Sequence, residues 1–260
     1  VLPNLGNLLI TYEYSKQSTR GKTDLTIQPD GKSNKSIVSS GLDKDYITQW
    51  SYGIDETFTL IVPNVKGGKS IPILGMEAEV ERLRDEDPQF FNVLVNEYQK
   101  NQNAILSYFG DQPIVSGPVY IGVIVVALAV LALLFVKDSL IIALLLVTLL
   151  ATALAWGKNF MGLTEFFIDY VPMYNKFRAV AMILLVAEFT LPIMAILFLN
   201  KLIKERDYIK LNIKKVFIGL GAVLLLVTAI AISPGSFVEL SSKKEQAKLS
   251  ALGSNASNAF

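Results

Sequence analysis

The sequence contains no cysteine and no histidine among its 260 residues. The absence of cysteine excludes disulfide bonds and thiolate metal sites. The absence of histidine removes the usual general base at neutral pH and the commonest metal ligand in proteins. Acid–base chemistry in this chain must therefore use Asp, Glu, Lys or Tyr side chains, and no metal site or cofactor is evident.

An excess of charge of either sign is also lacking. The chain has 24 Lys and Arg against 23 Asp and Glu, for a net charge of +1, which does not suggest a nucleic-acid partner. Apolar residues make up 52% of the chain, and the mean hydropathy is +0.43. Soluble domains are usually less apolar and spread their charges evenly, whereas here most charges fall outside long apolar runs. The composition indicates a membrane protein.

Four apolar runs are candidates for membrane-spanning helices, which need about 20 residues to cross about 30 Å of hydrocarbon. They are 118–136, 139–156, 179–200 and 216–233. The first two are separated only by Lys137 and Asp138, which predicts a tight helical hairpin. A soluble helical hairpin is the alternative, but four nearly uncharged runs disfavour it. We therefore predict an α-helical integral membrane protein with four transmembrane helices.

The short loop 201–215 sets the predicted orientation. Its basic residues are Lys201, Lys204, Arg206, Lys210, Lys214 and Lys215. Because short basic loops remain in the cytoplasm, we expect this loop to be cytoplasmic. Regions 1–117, 157–178 and 234–260 are then all predicted to be extracytoplasmic.

The N-terminal region is predicted to be α+β. Segments 24–28, 46–50 and 57–62 alternate or run apolar between turn residues, which is typical of short strands. A helix is predicted to begin near Asp87, with Pro88 at the first helical position, where its missing N–H costs nothing.

Segment 157–178 is too amphipathic to span a membrane and too apolar for a free loop. Glu165 and Asp169 are four residues apart, so on a helix their carboxylates share one face. One interpretation is a helix that lies in the membrane interface. The other is the lid of a lipid-facing active site, with Lys176 and Arg178 on a phosphate.

Glu188 lies inside the third predicted span, with Pro192 one turn further on. An ionisable residue within a membrane is costly and is a functional candidate by default. Proline frees a backbone carbonyl one turn back, at Glu188, which favours a polar pocket there. A purely structural carboxylate bonded to a neighbouring helix is the alternative.

Three stretches are distinctive when taken together: 41–53, 108–120 and 156–178, of which the last ends in Val171-Pro-Met-Tyr-Asn-Lys-Phe-Arg178. They resemble the YfhO-like bacterial membrane proteins in the form typical of Bacteroidetes, and the resemblance covers nearly the whole chain. Members of that family are much longer and have more spans. The resemblance and the absence of an initiator Met before Val1 predict that this chain is part of a longer protein.

The YfhO-like family looks like the GT-C glycosyltransferases. The resemblance implies a multi-pass protein of the bacterial inner membrane, which moves a sugar from a polyprenyl-phosphate carrier to an envelope glycan or lipid acceptor. Membrane lipids and this carrier are the implied partners. The class keeps its catalytic carboxylate in the first outer loop, which the resemblance places before this chain.

Transfer of this kind needs a carboxylate for the acceptor's proton and cations for the departing phosphate. The candidate carboxylates are Asp111, Glu165, Asp169 and Glu188. The candidate binding residues for lipid phosphate, headgroup or sugar are Gln112, Tyr174, Lys176 and Arg178. Two alternative functions remain open: a transporter or flippase with a midplane site at Glu188, and a non-catalytic scaffold that binds an envelope partner.

Overall fold

The computed structural model describes residues 4–16, 42–100 and 106–240. Regular structure in these ranges is helical, and the only β pairing among them is two isolated bridges. The α-helices of the described ranges are α1 (Leu5–Lys16), α2 (Lys44–Ile47), α3 (Glu77–Glu86), α4 (Pro88–Lys100), α5 (Val123–Phe135), α6 (Ser139–Ala155), α7 (Met161–Tyr170), α8 (Leu184–Lys204), α9 (Arg206–Leu211) and α10 (Ile213–Ile232). The chain forms two compact units. The first comprises Val1–Ser51 and Ala153–Ile183, and the second comprises Tyr52–Thr152 and Leu184–Phe260.

The α+β prediction is wrong for the two proposed strands that the structure describes, and segment 24–28 lies outside the described residues. Where a strand was predicted at 46–50, the chain instead forms α2 and a turn. The Asp43 carboxylate accepts a hydrogen bond from the Asp45 N–H at 2.9 Å, which caps this helix. Such local side-chain bonds compete with strand pairing.

The second proposed strand, 57–62, overlaps a 3₁₀ helix at Asp55–Leu60. The Glu56 carboxylate accepts a hydrogen bond from the Gly53 N–H at 3.0 Å, which closes the turn before it. Apolar alternation over six residues fits a short buried 3₁₀ helix as well as a strand, because neither element is long enough to show its period.

Helix α4 confirms the predicted start at Pro88. The Asp87 carbonyl accepts the first backbone hydrogen bond of the helix, from the Phe91 N–H at 3.0 Å. Helix α3, just before it, was not predicted, because it has almost no apolar face. An Arg82–Glu86 ion pair of 3.7 Å, one turn apart, supports it at the surface.

Helix α5 lies at the centre of the second unit. Its buried residues include Ala129, Ala132 and Phe135, which pack in one cluster with Met194 and Phe198 of α8. The rings of Phe135 and Phe198 are 5.7 Å apart. Small residues on α5 let its neighbours approach closely.

Helix α5 is shorter than the apolar run that contains it. Gly122 has a φ of 108°, a backbone conformation that side chains other than glycine rarely adopt. The N–H groups of Ile121 and Gly122 both donate to the Leu60 carbonyl, at 3.1 and 3.3 Å. These contacts hold the chain extended before Val123 and leave a helix of 13 residues.

Two helices among the described residues are long and apolar enough to cross a membrane, Val180–Lys204 and Ile213–Ile232. A third crossing is reached only if α6 and the sharply bent segment that follows it count as one span. The prediction of four spans is therefore not supported by helix length and composition, because α5 has 13 residues and α6 has 17. The coarser prediction, a helical membrane protein, agrees with these two long apolar helices.

We expect substitution of Gly219 to disrupt the contact between α5 and α10. A Cβ atom at Gly219 would lie 2.8 Å from Leu131 Cδ2 and 3.1 Å from Leu134 Cδ1. Gly219→Val should therefore cost about 1–3 kcal/mol through overpacking and lower the thermal unfolding temperature of the protein in detergent. Gly221→Val is the matched control, because nothing lies within 4 Å of its Cβ position on the same helix. Equal losses in the two variants would contradict this packing.

Candidate functional site

The sequence-predicted site residues divide between the two units. The first unit contains Glu165, Asp169, Tyr174, Lys176 and Arg178, and the second contains Asp111, Gln112 and Glu188.

Arg178 lies against two aromatic side chains of the first unit. Its guanidinium carbon is 4.1 Å from the ring centroid of Trp50 and 4.7 Å from that of Tyr46. One terminal nitrogen also donates a hydrogen bond of 2.6 Å to the Tyr46 hydroxyl. Among the described residues, Arg178 forms no ion pair with a carboxylate, and its partners are these two rings and the Tyr46 hydroxyl. Stacking fixes the plane of the guanidinium and keeps its charge.

The backbone around Arg178 is strained. Met173 and Ala179 have φ values of 68° and 67°, in the left-handed region that costs a non-glycine residue of order 1 kcal/mol or more. Two backbone hydrogen bonds hold this segment in place: Leu42 N–H to the Asn175 carbonyl at 2.9 Å, and Ala181 N–H to the Trp50 carbonyl at 3.1 Å. Contacts distant in sequence thus impose a conformation that the segment would not adopt alone.

An open cleft of about 320 Å³ lies beside Arg178. Its lining is mostly apolar and consists of Tyr174, Phe177, Arg178, Ala179, Val180, Met182 and Ile183. Two of the predicted binding residues, Tyr174 and Arg178, therefore line one cleft, and Lys176 is not part of its lining. Burial raises the pKa of Tyr174, so this phenol stays neutral at physiological pH. A cleft with one fixed cation and apolar walls suits an anionic amphiphile.

Helix α7 divides into three stripes of residues four apart. Thr164 and Ile168 are buried. Glu165 and Asp169 form the second stripe, as predicted from their spacing. Phe166 and Tyr170 form the third, and their side chains are exposed, with ring centroids 5.2 Å apart.

Lys44 lies at the carboxylate stripe of α7. Its ammonium is 2.9 Å from Glu165 Oε1. The hydrogen bond to Glu165 raises the pKa of Lys44, and the charges of Glu165 and Asp169 act in the same direction, against a smaller opposing effect of desolvation. The ion pair with Lys44 engages Glu165 Oε1, which makes this carboxylate a weaker candidate for a general base.

The sequence did not predict a functional role for three residues that contact the candidate site: Lys44, Tyr46 and Trp50. They are more than 100 positions away from their partners in the chain, so no local pattern links them. The one sequence feature that connects them is that these residues and their partners lie in two of the distinctive stretches, 41–53 and 156–178. The structure brings parts of these two stretches into contact.

The second unit contains a buried carboxylate that sequence reasoning missed. Glu56 is 4% exposed and accepts hydrogen bonds from Gly53 N–H at 3.0 Å, the Tyr108 hydroxyl at 2.9 Å and Gln112 Nε2 at 3.3 Å. Burial raises the pKa of Glu56, the three hydrogen bonds oppose this shift, and the charge of Asp111 adds to it. Gln112, a predicted sugar ligand, thus contacts Glu56, and Asp111 lies near enough to affect it.

Glu188 is exposed on α8, and no hydrogen bond or ion pair joins it to another described residue. It lies close enough to Tyr52 for its charge to contribute to the raised pKa of that phenol, for which burial is the main cause. Helix α8 continues through Pro192 to Lys204 without interruption. Pro192 therefore lies inside the helix and does not break it.

No group of three or more acidic side chains in the described ranges is placed to hold a metal ion. No family model, curated protein or solved structure matches this chain.

We expect the close approach of Ser51 and Val180 to require a glycine at position 157. The φ of Gly157 is 46°, and a Cβ atom there would lie 2.2 Å from Ser51 Oγ and 2.6 Å from Val180 Cγ2. The same Ser51 hydroxyl accepts the Lys158 N–H at 2.8 Å. Gly157→Ala should cost about 1–3 kcal/mol, measured as a lower thermal unfolding temperature in detergent.

The matched control is Gly162→Ala, because Gly162 is helical and nothing lies within 4 Å of its Cβ position. This change should be neutral or stabilise the protein by up to about 1 kcal/mol. A Gly157→Ala protein as stable as this control would contradict the tight approach of Ser51.

Proposed function

We propose that this chain is part of a YfhO-like glycosyltransferase of the GT-C type in the bacterial inner membrane. It would move a sugar from a polyprenyl-phosphate carrier to an envelope glycan or lipid acceptor. The observation that carries the proposal is Arg178, stacked on Tyr46 and Trp50 beside an apolar cleft. Arg178 comes two residues before the membrane-spanning candidate Val180–Lys204, where a lipid headgroup would be within reach.

The proposed reaction explains why this site would need a fixed cation. The bond between the sugar's anomeric carbon and a phosphate oxygen breaks, and the acceptor hydroxyl oxygen forms the new bond to that carbon. The acceptor's proton passes to a carboxylate, and negative charge builds on the departing phosphate. Arg178 would stabilise that charge through its guanidinium N–H groups, while isoprenoid units occupy the cleft. The resemblance places the carboxylate outside this chain.

We further propose that α5, α6, α8 and α10 all cross the membrane. Packing supports this arrangement. Gly122, before α5, contacts Leu60, while the Phe135 ring at the other end of α5 is 6.3 Å from the Tyr208 ring in the basic loop after α8. The C-terminal end of α5 thus lies beside the basic loop, and the extended residues before the helix add to its reach. On α6, the Thr148 hydroxyl is 2.6 Å from that of Thr190 on α8.

The basic loop 201–215 would then face the cytoplasm, and both the residues before α5 and those after α10 would face the periplasm. The transporter alternative would place its site at Glu188. The uninterrupted course of α8 gives it less support, since midplane transport sites are typically formed by broken helices.

We expect loss of Arg178 to impair turnover of the carrier. Charge-assisted hydrogen bonds contribute roughly 1.5–3 kcal/mol, so Arg178→Ala should weaken carrier binding roughly ten- to a hundredfold. Arg178→Lys should recover only part of the loss, because lysine lacks the planar, bidentate group. The measurement is turnover of a labelled polyprenyl-phosphate sugar in membranes that contain the full-length protein.

The matched control for this experiment is Lys158→Ala, which removes an exposed cation of the same stretch that does not line the cleft. Normal turnover in Arg178→Ala, with the protein folded in the membrane, would leave Arg178 a structural role only.

We expect the exposed aromatic stripe of α7 to lie in the lipid headgroup layer. Aromatic side chains favour that layer, and Tyr170 is 74% exposed. A spin label at Tyr170→Cys, in protein reconstituted into nanodiscs, should be relaxed by oxygen more than by a water-soluble nickel complex. A label at the neighbouring Asp169→Cys, on the carboxylate stripe, should show the reverse. Equal access of the nickel complex to both labels would contradict interfacial placement.

A further inference from the structure

Lys66 is a buried lysine of the second unit. Its ammonium lies 2.6 Å from Asp55 Oδ2 and donates to the Glu239 carbonyl at 2.6 Å. The Glu239 N–H donates to the same Asp55 oxygen at 3.0 Å. Two residues that precede α5 thus bind the backbone of a residue that follows α10, and the buried charge of Lys66 is paired with Asp55.

Apolar contacts extend this attachment. The rings of Phe58 and Phe237 meet edge to face, with centroids 5.9 Å apart, and Val238 is buried. A 3₁₀ turn at Pro234–Ser236 directs the chain back from the end of α10, and the Phe237 N–H bonds to the Pro234 carbonyl at 3.0 Å. Segment 237–239 is therefore held by the apolar contacts of its side chains as well as by the hydrogen bonds of the Glu239 backbone to Lys66 and Asp55.

Segment 55–66 also contacts the chain just before α5. The Leu60 carbonyl accepts hydrogen bonds from Ile121 and Gly122, the last residues before that helix. Segment 55–66 consequently touches the chain just before α5 and just after α10.

We propose that segment 55–66 is an extramembrane docking surface that ties both ends of the α5–α10 region to one face of the membrane. Ion pairs of this kind form outside the hydrocarbon layer, because ionised side chains are costly within it. Since both ends lie on one face, the chain crosses the membrane an even number of times between Gly122 and Ser233. A count of three, with the bent α6–α7 segment as one span and no crossing by α5, is excluded. This proposal does not depend on the enzymatic function.

The absence of cysteine from the chain allows a direct test. In the full-length protein in native membranes, Phe58→Cys and Phe237→Cys together should be cross-linked by a short bis-maleimide. The matched pair Phe58→Cys with Lys210→Cys should not be cross-linked, because Lys210 lies in the basic loop. Single cysteines at 58 and 237 should react with an impermeant maleimide from the same side, and a cysteine at 210 from the other side. Labelling of 58 and 237 from opposite sides would overturn the proposal.

Lys66→Met in the background of the 58/237 pair tests the ion pair itself. The cross-linked fraction should fall at least severalfold, because Asp55 loses its cation and Glu239 its donor. Lys69→Met is the control, since Lys69 is exposed and forms no ion pair with a described residue. Unchanged cross-linking in Lys66→Met would show that Lys66 does not hold the segment. Absence of cross-linking in the 58/237 double-cysteine variant with Lys66 intact, although both cysteines react with maleimide, would also overturn the proposal.

Discussion

Close packing of α5 against α8 and α10 is the constraint on which the second unit depends. Ala132 is fully buried and Ala129 nearly so, and Gly219 of α10 faces Leu131 and Leu134 at distances that leave no room for a side chain. Helices in lipid gain little from burying apolar surface against one another, because lipid tails are equally apolar. On the proposed four-span topology, the fit between the helix surfaces therefore decides the arrangement of these helices. The small residues set how near the helices come, and the aromatic contact of Phe135 with Phe198 fixes their register.

Long apolar helices could be predicted from the sequence, whereas short elements could not. The last two apolar runs correspond to helices that begin or end within a few residues of the predicted limits, because uncharged length is a local property. The start of α4 at Pro88 could also be predicted, because it depends on the local sequence Asp87-Pro88. The predicted strands failed because five or six alternating residues carry too little periodicity. Asp43 and Glu56 instead bond to nearby backbone N–H groups and close short helical turns.

The same division applies to the candidate site. Tyr174 and Arg178 could be singled out from the sequence, since they lie in one amphipathic stretch beside an apolar run. Their surroundings could not, because Tyr46 is 132 positions from Arg178 and Lys44 is 121 from Glu165. Nothing in the sequence around Glu56 indicated that its carboxylate would be buried. Its burial depends on Tyr108 and Gln112, more than 50 positions away, and a lone carboxylate in a short apolar segment has no distinctive pattern.

The strained backbone on both sides of Arg178 bears on what that residue does. Left-handed conformations at Met173 and Ala179 persist only where the surroundings over-determine them. An arginine that merely extended into water would need no such support, because a long exposed side chain adapts at little cost. Here the chain instead accepts strain, and two aromatic rings fix the guanidinium plane beside an open apolar cleft. Preorganisation of this kind would reduce the cost of ordering Arg178 on an anion, as the proposed function requires.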